Sequence, residues 1–348
     1  MQIAQVLTAS TGGIGRHVAS LAPRMVERGH RVRVFCPAST AAAQGFDALG
    51  LEVHPLSDLA EARGADVVHA HGFKAGGLAL PAARLLRAPL VVTWHNAVLG
   101  EGRAAGAARI VARLVARGAD LTLGASSDLV DEARRLGARD ARLGPVAAPA
   151  LGAVTVSREE ERAGLGVGES ELLVLTVSRL APQKNLGMLA DVAARLRDRA
   201  DLTFAVVGEG PVRTVLEERI AAEGLRIRLL GHREDVPSLL AAADLALLTS
   251  SWEARALVAQ EALLAGLPLV ATRVGGVPEL VGAAAVLVEL GDVDAAAVAV
   301  RELADDPARR GRLAEAGRHQ AGTWPDEDDV VESLLTAYSS LVEVHGVS

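Results

Sequence analysis

The 348-residue chain is half apolar and 23% charged, with only 2% aromatic residues and a formal net charge of −7. Its single cysteine, Cys36, excludes an internal disulfide framework and a cysteine-based zinc site. The length allows two domains, and the halves differ in charge, residues 1–150 carrying +5 and residues 151–348 carrying −12.

The start, "MQIAQVLTAS", lacks a basic region followed by an apolar core, so no secretory signal is read. No uncharged apolar run of about 18 residues occurs. These two readings lead us to expect a cytoplasmic protein. "QIAQVLTA" then reads as a buried strand, and "GIGRHVASLAPRMVERGH" as the helix after it, stopping at Gly29. "RVRVFCP", "LEVHPL", "DVVHAHG", "PLVVTWHN" and "LTLGAS" follow as short β-branched runs with helices between most of them. Cys36 falls at the end of one such run, as a small buried hydrophobe. Prolines and glycines crowd "LGPVAAPALGAV", which reads as a linker around Pro145 to Pro149. The alternation resumes with "LLVLTVS", "LTFAVVG", "IRLLG", "LALLTS", "PLVATR" and "AAVLVE". The expected fold class is α/β, with two tandem Rossmann-like, doubly wound parallel-sheet domains. The boundaries expected are 1–148, 149–322, and a final helix, 323–348, packing back toward the first domain. Asp326, Glu327, Asp328 and Asp329 suit the start of that helix.

Open parallel sheets bind ligands beyond the carboxyl ends of their strands, so the chemistry is sought there. After the first strand, Gly12, Gly13 and Gly15 open a helix and permit close backbone approach to a phosphate or sugar. The spacing is not G-x-G-x-x-G, and no acid ends the second strand to hold a ribose, which disfavours a dinucleotide oxidoreductase. His69, His71 and His95 lie at or near strand ends. His95 is the strongest of them as a cleft residue, and His69 is read as interior to its strand. A histidine-only metal site is an open alternative, but no i, i+4 pair or carboxylate partner supports it, and no metal is expected. In the second half, Arg179 and Lys184 follow a strand and precede a helix near Asn185, a combination suited to a diphosphate. Lys74 and Lys184 are the only lysines in the chain. Gly208 and Gly210 form a turn against which a flat base could lie. Glu253 precedes a helix read from about Leu257 to Ala265, and Glu261 lies inside it, about 80° round from Glu253 if the helix is extended back. Two acceptor-only carboxylates beside a cationic diphosphate site suit a nucleotide-sugar, one for the ribose and one for the hexose.

Arg179 with Lys184, Glu253-x7-Glu261 and "GLPLVATRVGGVPELV" resemble the retaining glycosyltransferases of family 4, and "TGGIGRHV" fits the amino-terminal half of that family. The resemblance implies the GT-B fold, with two Rossmann-like domains facing a cleft. It also implies a hexosyl transfer from a nucleoside-diphosphate sugar, with no cofactor and no metal. On this resemblance Glu261 would hold the ribose, Glu253 the donor sugar, and Arg179 and Lys184 the diphosphate. Backbone N–H groups near Leu257 and Val258 would reach sugar and phosphate, Gly13 would approach the diphosphate, and His95 would sit near the anomeric carbon. Where the family follows its first glutamate with glycine, this chain has Ala254-Arg255-Ala256. The acceptor is a carbohydrate, lipid or small molecule. Arg109, Arg113 and Arg117 recur beside Ile110, Val111, Leu114 and Val115, which makes either a solvated arginine face or a peripheral contact with anionic membrane. Nucleic acid is not an expected partner, because no basic-aromatic platform accompanies the arginines. The alternatives are a sugar-nucleotide epimerase of the same architecture and a non-catalytic scaffold.

Overall fold

The computed structural model describes residues 1–10, 12–100, 102–144, 146–147 and 151–346. Contacts divide the chain into one unit of Met1–Pro149 with Pro325–Ser348 and another of Ala150–Trp324. The expected boundary at 148/149, and most of the expected linker, lie outside the described residues.

In the first unit the chain runs β1 (Gln2–Leu7), α1 (Gly13–Glu27), β2 (Arg31–Phe35), α2 (Ala38–Gln44), β3 (Glu52–His54), β4 (Val67–His71), α3 (Phe73–Leu86), β5 (Leu90–Trp94), α4 (Arg103–Gly118), β6 (Leu121–Gly124), α5 (Ser127–Leu136) and β7 (Ala141–Leu143). The strands form one parallel sheet in the order β3-β2-β1-β4-β5-β6-β7. The second unit continues with α6 (Arg158–Gly164), β8 (Leu172–Val177), α7 (Leu186–Arg195), β9 (Leu202–Val207), α8 (Arg213–Glu223), β10 (Ile227–Gly231), α9 (Val236–Ala242), β11 (Leu245–Leu248), α10 (Leu257–Leu264), β12 (Leu269–Thr272), α11 (Val277–Val281), β13 (Val286–Val288), α12 (Val293–Asp305) and α13 (Pro307–Ala321). Its parallel sheet has the order β10-β9-β8-β11-β12-β13. Every strand written down from the sequence is present. The three-residue β7, too short to show a period, went unread.

The central strands β4, β5 and β9 are buried along their whole length. Helices cover both faces of a parallel sheet, so these strands are nearly continuous apolar runs. In the second unit one core cluster joins Leu189, Val192, Phe204 and Val300, and another joins Leu175, Leu239, Leu263 and Val277. Helix α14 (Glu327–His345) belongs to the first unit. It begins with a capping box in which Asp326 and Asp329 each accept a bond from the other's backbone N–H. Its Val330, Val331, Leu334 and Tyr338 join Ile3, Val18, Leu21 and Met25 in one core. Of the acidic run, Glu327 pairs with Arg24, and Asp328 pairs with Arg28 at 2.8 Å. The run therefore caps one helix and clamps it to another.

Candidate functional site

In each sheet the strand order reverses once, between β1 and β4 in the first unit and between β8 and β11 in the second. Such reversals splay neighbouring loops apart and open a crevice at the strand ends. The residues singled out in the sequence fall largely at these two places.

In the second unit, the loops after β8 and β11 are tied together by hydrogen bonds. Ser251 N–H donates to the Gln183 carbonyl at 2.8 Å, and Gln183 Nε2 donates to the Trp252 carbonyl at 2.6 Å. Thr249 Oγ1 donates to the Lys184 and Asn185 carbonyls, both at 3.2 Å. Across this seam Lys184 Nζ meets Glu253 Oε1 at 2.5 Å, and Ser250 Oγ donates to the same oxygen at 2.6 Å. Oε1 thus carries both bonds, while Oε2 carries none among the described residues. Arg179 sits exposed in the loop after β8, and its guanidinium has no hydrogen-bond or ion-pair partner among the described residues. Asn185, in the left-handed region at φ 48°, turns the chain into α7.

Two glycines in the loop after β9 permit its close approach to the loop after β8. Gly208 has φ 129°, and a Cβ there would lie 1.9 Å from the Ser178 carbonyl oxygen; Gly210 would meet the Leu180 oxygen at 2.4 Å. Gly275, at φ 49°, would place a Cβ 2.0 Å from the Glu253 carbonyl oxygen. That oxygen instead accepts a bond from Gly276 N–H at 2.8 Å. The Gly-Gly pair therefore fixes the backbone of Glu253.

Leu257 and Val258 open α10 and are half-buried. No side chain caps this helix, and its first N–H groups have no intrahelical acceptor. Glu261 is half-buried one turn further on. Arg255, between the two alanines that stand where the related pattern has glycines, lies over the Trp324 ring at 5.8 Å. In the amide orientation its donors select, the Gln260 oxygen accepts from Arg255 Nε at 3.1 Å and Nη2 at 3.3 Å. Burial pushes the Arg255 guanidinium down to about 10, with the Glu279 charge opposing. This arginine is engaged inside its own unit.

In the first unit, Gly12 is the N-cap of α1 and Gly13 its first residue, again without a side-chain cap. A Cβ on Gly12 would meet nothing within 4 Å, so the residue leaves open space. The turn is braced by Ser10, whose Oγ accepts from Gly15 N–H at 3.0 Å. Beside it lies a buried polar cluster. His71 ends β4, and its Nε2 meets Gln5 Oε1 at 2.7 Å, while its Nδ1 meets His95 Nε2 at 3.2 Å. His17, in the second turn of α1, lies edge-on to both rings, with centroids 5.7 and 5.3 Å away. His69 is fully buried between Tyr338 Oη at 2.5 Å and Thr93 Oγ1 at 2.7 Å. Burial holds His17 down at about 4. It holds His69 at about 3, helped by the His17 charge. Burial and the neighbouring imidazoles lower His71 and His95 well below the usual histidine range. These rings are therefore neutral near pH 7.

The sequence reading missed His17, Gln5 and Tyr338. A signal existed for His17, which precedes Leu21 by four residues and so shares its sheet-facing stripe. None existed for Tyr338, whose partner His69 is 269 residues away. No helix among the described residues is long and apolar enough to cross a membrane.

Comparison with known proteins places these features in a family. Residues 157–320 match the family described as "Glycosyl transferases group 1", and residues 12–148 match "Glycosyl transferase 4-like domain". The chain is 32% identical to a D-inositol 3-phosphate glycosyltransferase of Geodermatophilus obscurus, over 95% of this chain and 85% of that one. It is 30% identical to a glycogen synthase of Mycobacterium tuberculosis, over 94% and 91% respectively. The crystal structure of Anabaena HepE in complex with UDP-glucose superposes with a TM-score of 0.86 at 24% identity, covering 98% of this chain and all of that one. The alternative reading as an epimerase finds no support among these relatives. Two parallel-sheet Rossmann-like units, matched over nearly their whole length by named glycosyltransferases, establish that this chain belongs to the family 4-like GT-B glycosyltransferases.

Proposed function

We propose that the protein transfers a hexosyl unit from a nucleoside-diphosphate sugar with retention of anomeric configuration and without a metal. The observation that carries this reading is the Lys184–Glu253 pair at the β8/β11 reversal, 2.5 Å apart, with Glu253 Oε2 uncommitted among the described residues. An ammonium has three donors. Lys184 can keep Glu253 and still donate to phosphate, and Arg179, unpartnered among the described residues, adds a second cation. Together they stabilise the negative charge that gathers on the departing diphosphate. Glu253 Oε2 accepts from a hydroxyl of the donor sugar, and Glu261 from the ribose. The N–H groups of Leu257 and Val258 and the Gly208–Gly210 turn position phosphate and base. In the first unit, Gly12 and Gly13 leave room for phosphate at the start of α1, and His95 lies near the anomeric carbon. The leaving phosphate accepts the proton of the incoming hydroxyl, so no strong general base is needed.

The acceptor takes less from the site. Ile110 and Leu114 are 64% and 59% exposed on α4, on the side away from the buried Ala105, Ala112, Val115 and Ala116. Arg109, Arg113 and Arg117 surround them. An exposed apolar pair ringed by arginines suits an anionic membrane surface and so a lipid-linked acceptor. Salt-sensitive flotation with anionic liposomes is the expected outcome, and absence of flotation removes this part.

The central test is a screen of UDP-, GDP- and ADP-sugars for binding and slow hydrolysis, in the presence and absence of a chelator. One donor is expected to be hydrolysed at a chelator-independent rate, with NMR showing the original anomeric configuration in the first-formed product. No binding by any donor overturns the transferase site, and inverted product overturns retention. Activity lost to chelator and restored by a divalent ion overturns metal independence.

A further inference from the structure

We propose that His17, His71 and His95 form a binding site for a divalent transition-metal cation of the zinc class. One ligand nitrogen from each ring lies within 4.8 Å of the other two. Zinc–nitrogen bonds of about 2.0–2.1 Å in a tetrahedral site place neighbouring nitrogens about 3.3–3.4 Å apart. His71 Nδ1 and His95 Nε2 stand 3.2 Å apart already. His17, in the second turn of α1, supplies the third nitrogen, within 4.8 Å of the other two.

The surroundings have the features such a site needs. A metal-bound imidazole normally donates its other N–H to an oxygen, which fixes its tautomer and orientation. His71 does so here, with Nε2 facing Gln5 Oε1 at 2.7 Å. The Gln5 amide is itself oriented, its Nε2 facing Met25 Sδ at 3.9 Å. The Nδ1 lone pair of His71 therefore points into the triangle before any metal arrives. His95 needs only to move its proton from Nε2 to Nδ1, with no net proton release. The three ligands come from three elements, α1, the end of β4 and the segment after β5, so the triangle is held by the fold. Three neutral imidazoles with a fourth position for water is an arrangement known to hold zinc. His17 and His95 retain 7% and 9% exposure, against 4% for His71. Hard cations such as magnesium prefer oxygen and are not expected to bind.

Occupancy would take His95 away from the role proposed for it above. That consequence rests on the transferase reading; the binding does not, so the experiment reads binding. Tag-free protein, stripped with chelator, is titrated with Co2+ and followed by visible absorption, then back-titrated with Zn2+. One Co2+ per chain, with the ligand-field bands of a four- or five-coordinate nitrogen site displaced by Zn2+, is expected. Gln5→Leu is expected to weaken binding about 10–100-fold, His17→Gln is expected to abolish the bands, and His54→Ala is expected to leave them unchanged. Far-UV circular dichroism checks that each variant is folded. Should His17→Gln or Gln5→Leu not fold, X-ray absorption of the wild-type Co2+ complex decides: three imidazole shells support the site, and fewer than two overturn it. Absent bands, or bands unchanged in folded His17→Gln, also overturn the proposal.

Discussion

Replacing Glu253 by glutamine separates the work of its charge from that of its shape. Oε1 accepts from Lys184 at 2.5 Å and from Ser250 at 2.6 Å. The amide keeps an acceptor in place but removes the charge. Hydrogen bonds involving a charged group contribute about 1.5–3 kcal/mol, against about 0.5–1.5 for neutral ones. The two side chains are only 18% and 9% exposed, so solvent screening takes little from the difference. Glu253→Gln should therefore lower folding stability by about 1–2 kcal/mol, measured by urea titration. The same loss at Oε2, where the sugar hydroxyl is proposed to bind, lowers kcat/KM about 10-fold, and Glu253→Ala, which removes the acceptor, lowers it about 10–150-fold.

The nucleotide should respond in the opposite sense. Freed from its counter-ion, Lys184 presents a full positive charge to the diphosphate. Calorimetry with the nucleoside diphosphate that binds the wild type should show equal or tighter affinity for Glu253→Gln, while sugar transfer slows. Nucleotide affinity that falls in parallel with turnover would refute a sugar-specific role for Glu253. Turnover within about threefold of wild type, in a variant of unchanged melting temperature, would refute the hydroxyl contact itself.

Gly275→Ala should destabilise the second unit by more than about 2 kcal/mol, since it adds backbone strain in the left-handed region to a Cβ 2.0 Å from the Glu253 carbonyl; near-normal stability in denaturant would show that this loop can move away without cost. Tyr338→Phe leaves His69 Nδ1 without its 2.5 Å partner in a fully buried place, at a cost of about 1–3 kcal/mol; a change below about 0.5 kcal/mol in a urea titration would mean that another group replaces the hydroxyl.

Most of the architecture was legible because parallel strands buried on both faces leave continuous β-branched runs, as in "LVVTW" and "LTFAVV". Arg179, Lys184 and Glu253 stood out in the sequence because few local reasons exist for cations and acids at strand ends. What the sequence could not show is which of these groups meet. Lys184 and Glu253 are 69 residues apart, and only the adjacency of β8 and β11 pairs them. The surroundings of Arg255 could not be read from the sequence; Trp324, Gln260 and Glu279 lie about it because α10, α11 and the end of the second unit converge there. His71 and His95 read as strand-end residues and His69 as interior to its strand; the fold makes His69 a structural link to α14 and brings His17 into the company of His71 and His95.

The two reversals use different chemistry, and the partners available explain the division. In the second unit Lys184 and Glu253, only 18% and 9% exposed, hold each other 2.5 Å apart and keep further donors and acceptors for a charged ligand. In the first unit every polar group of the cluster is at least nine-tenths buried, where an unpaired charge would be expelled. Neutral imidazoles, an amide, a hydroxyl and a phenol are what such a place tolerates, and each must find a partner. That requirement also gives the chain of bonds a direction. Gln5 Oε1 can only accept, so His71 Nε2 carries a proton and His71 Nδ1 does not. In the metal-free protein His95 Nε2 must then donate, and because the ring is neutral its Nδ1 is left as a bare lone pair. A buried glutamine on the first strand thereby sets the proton position on a histidine 90 residues later, two strands away in the sheet.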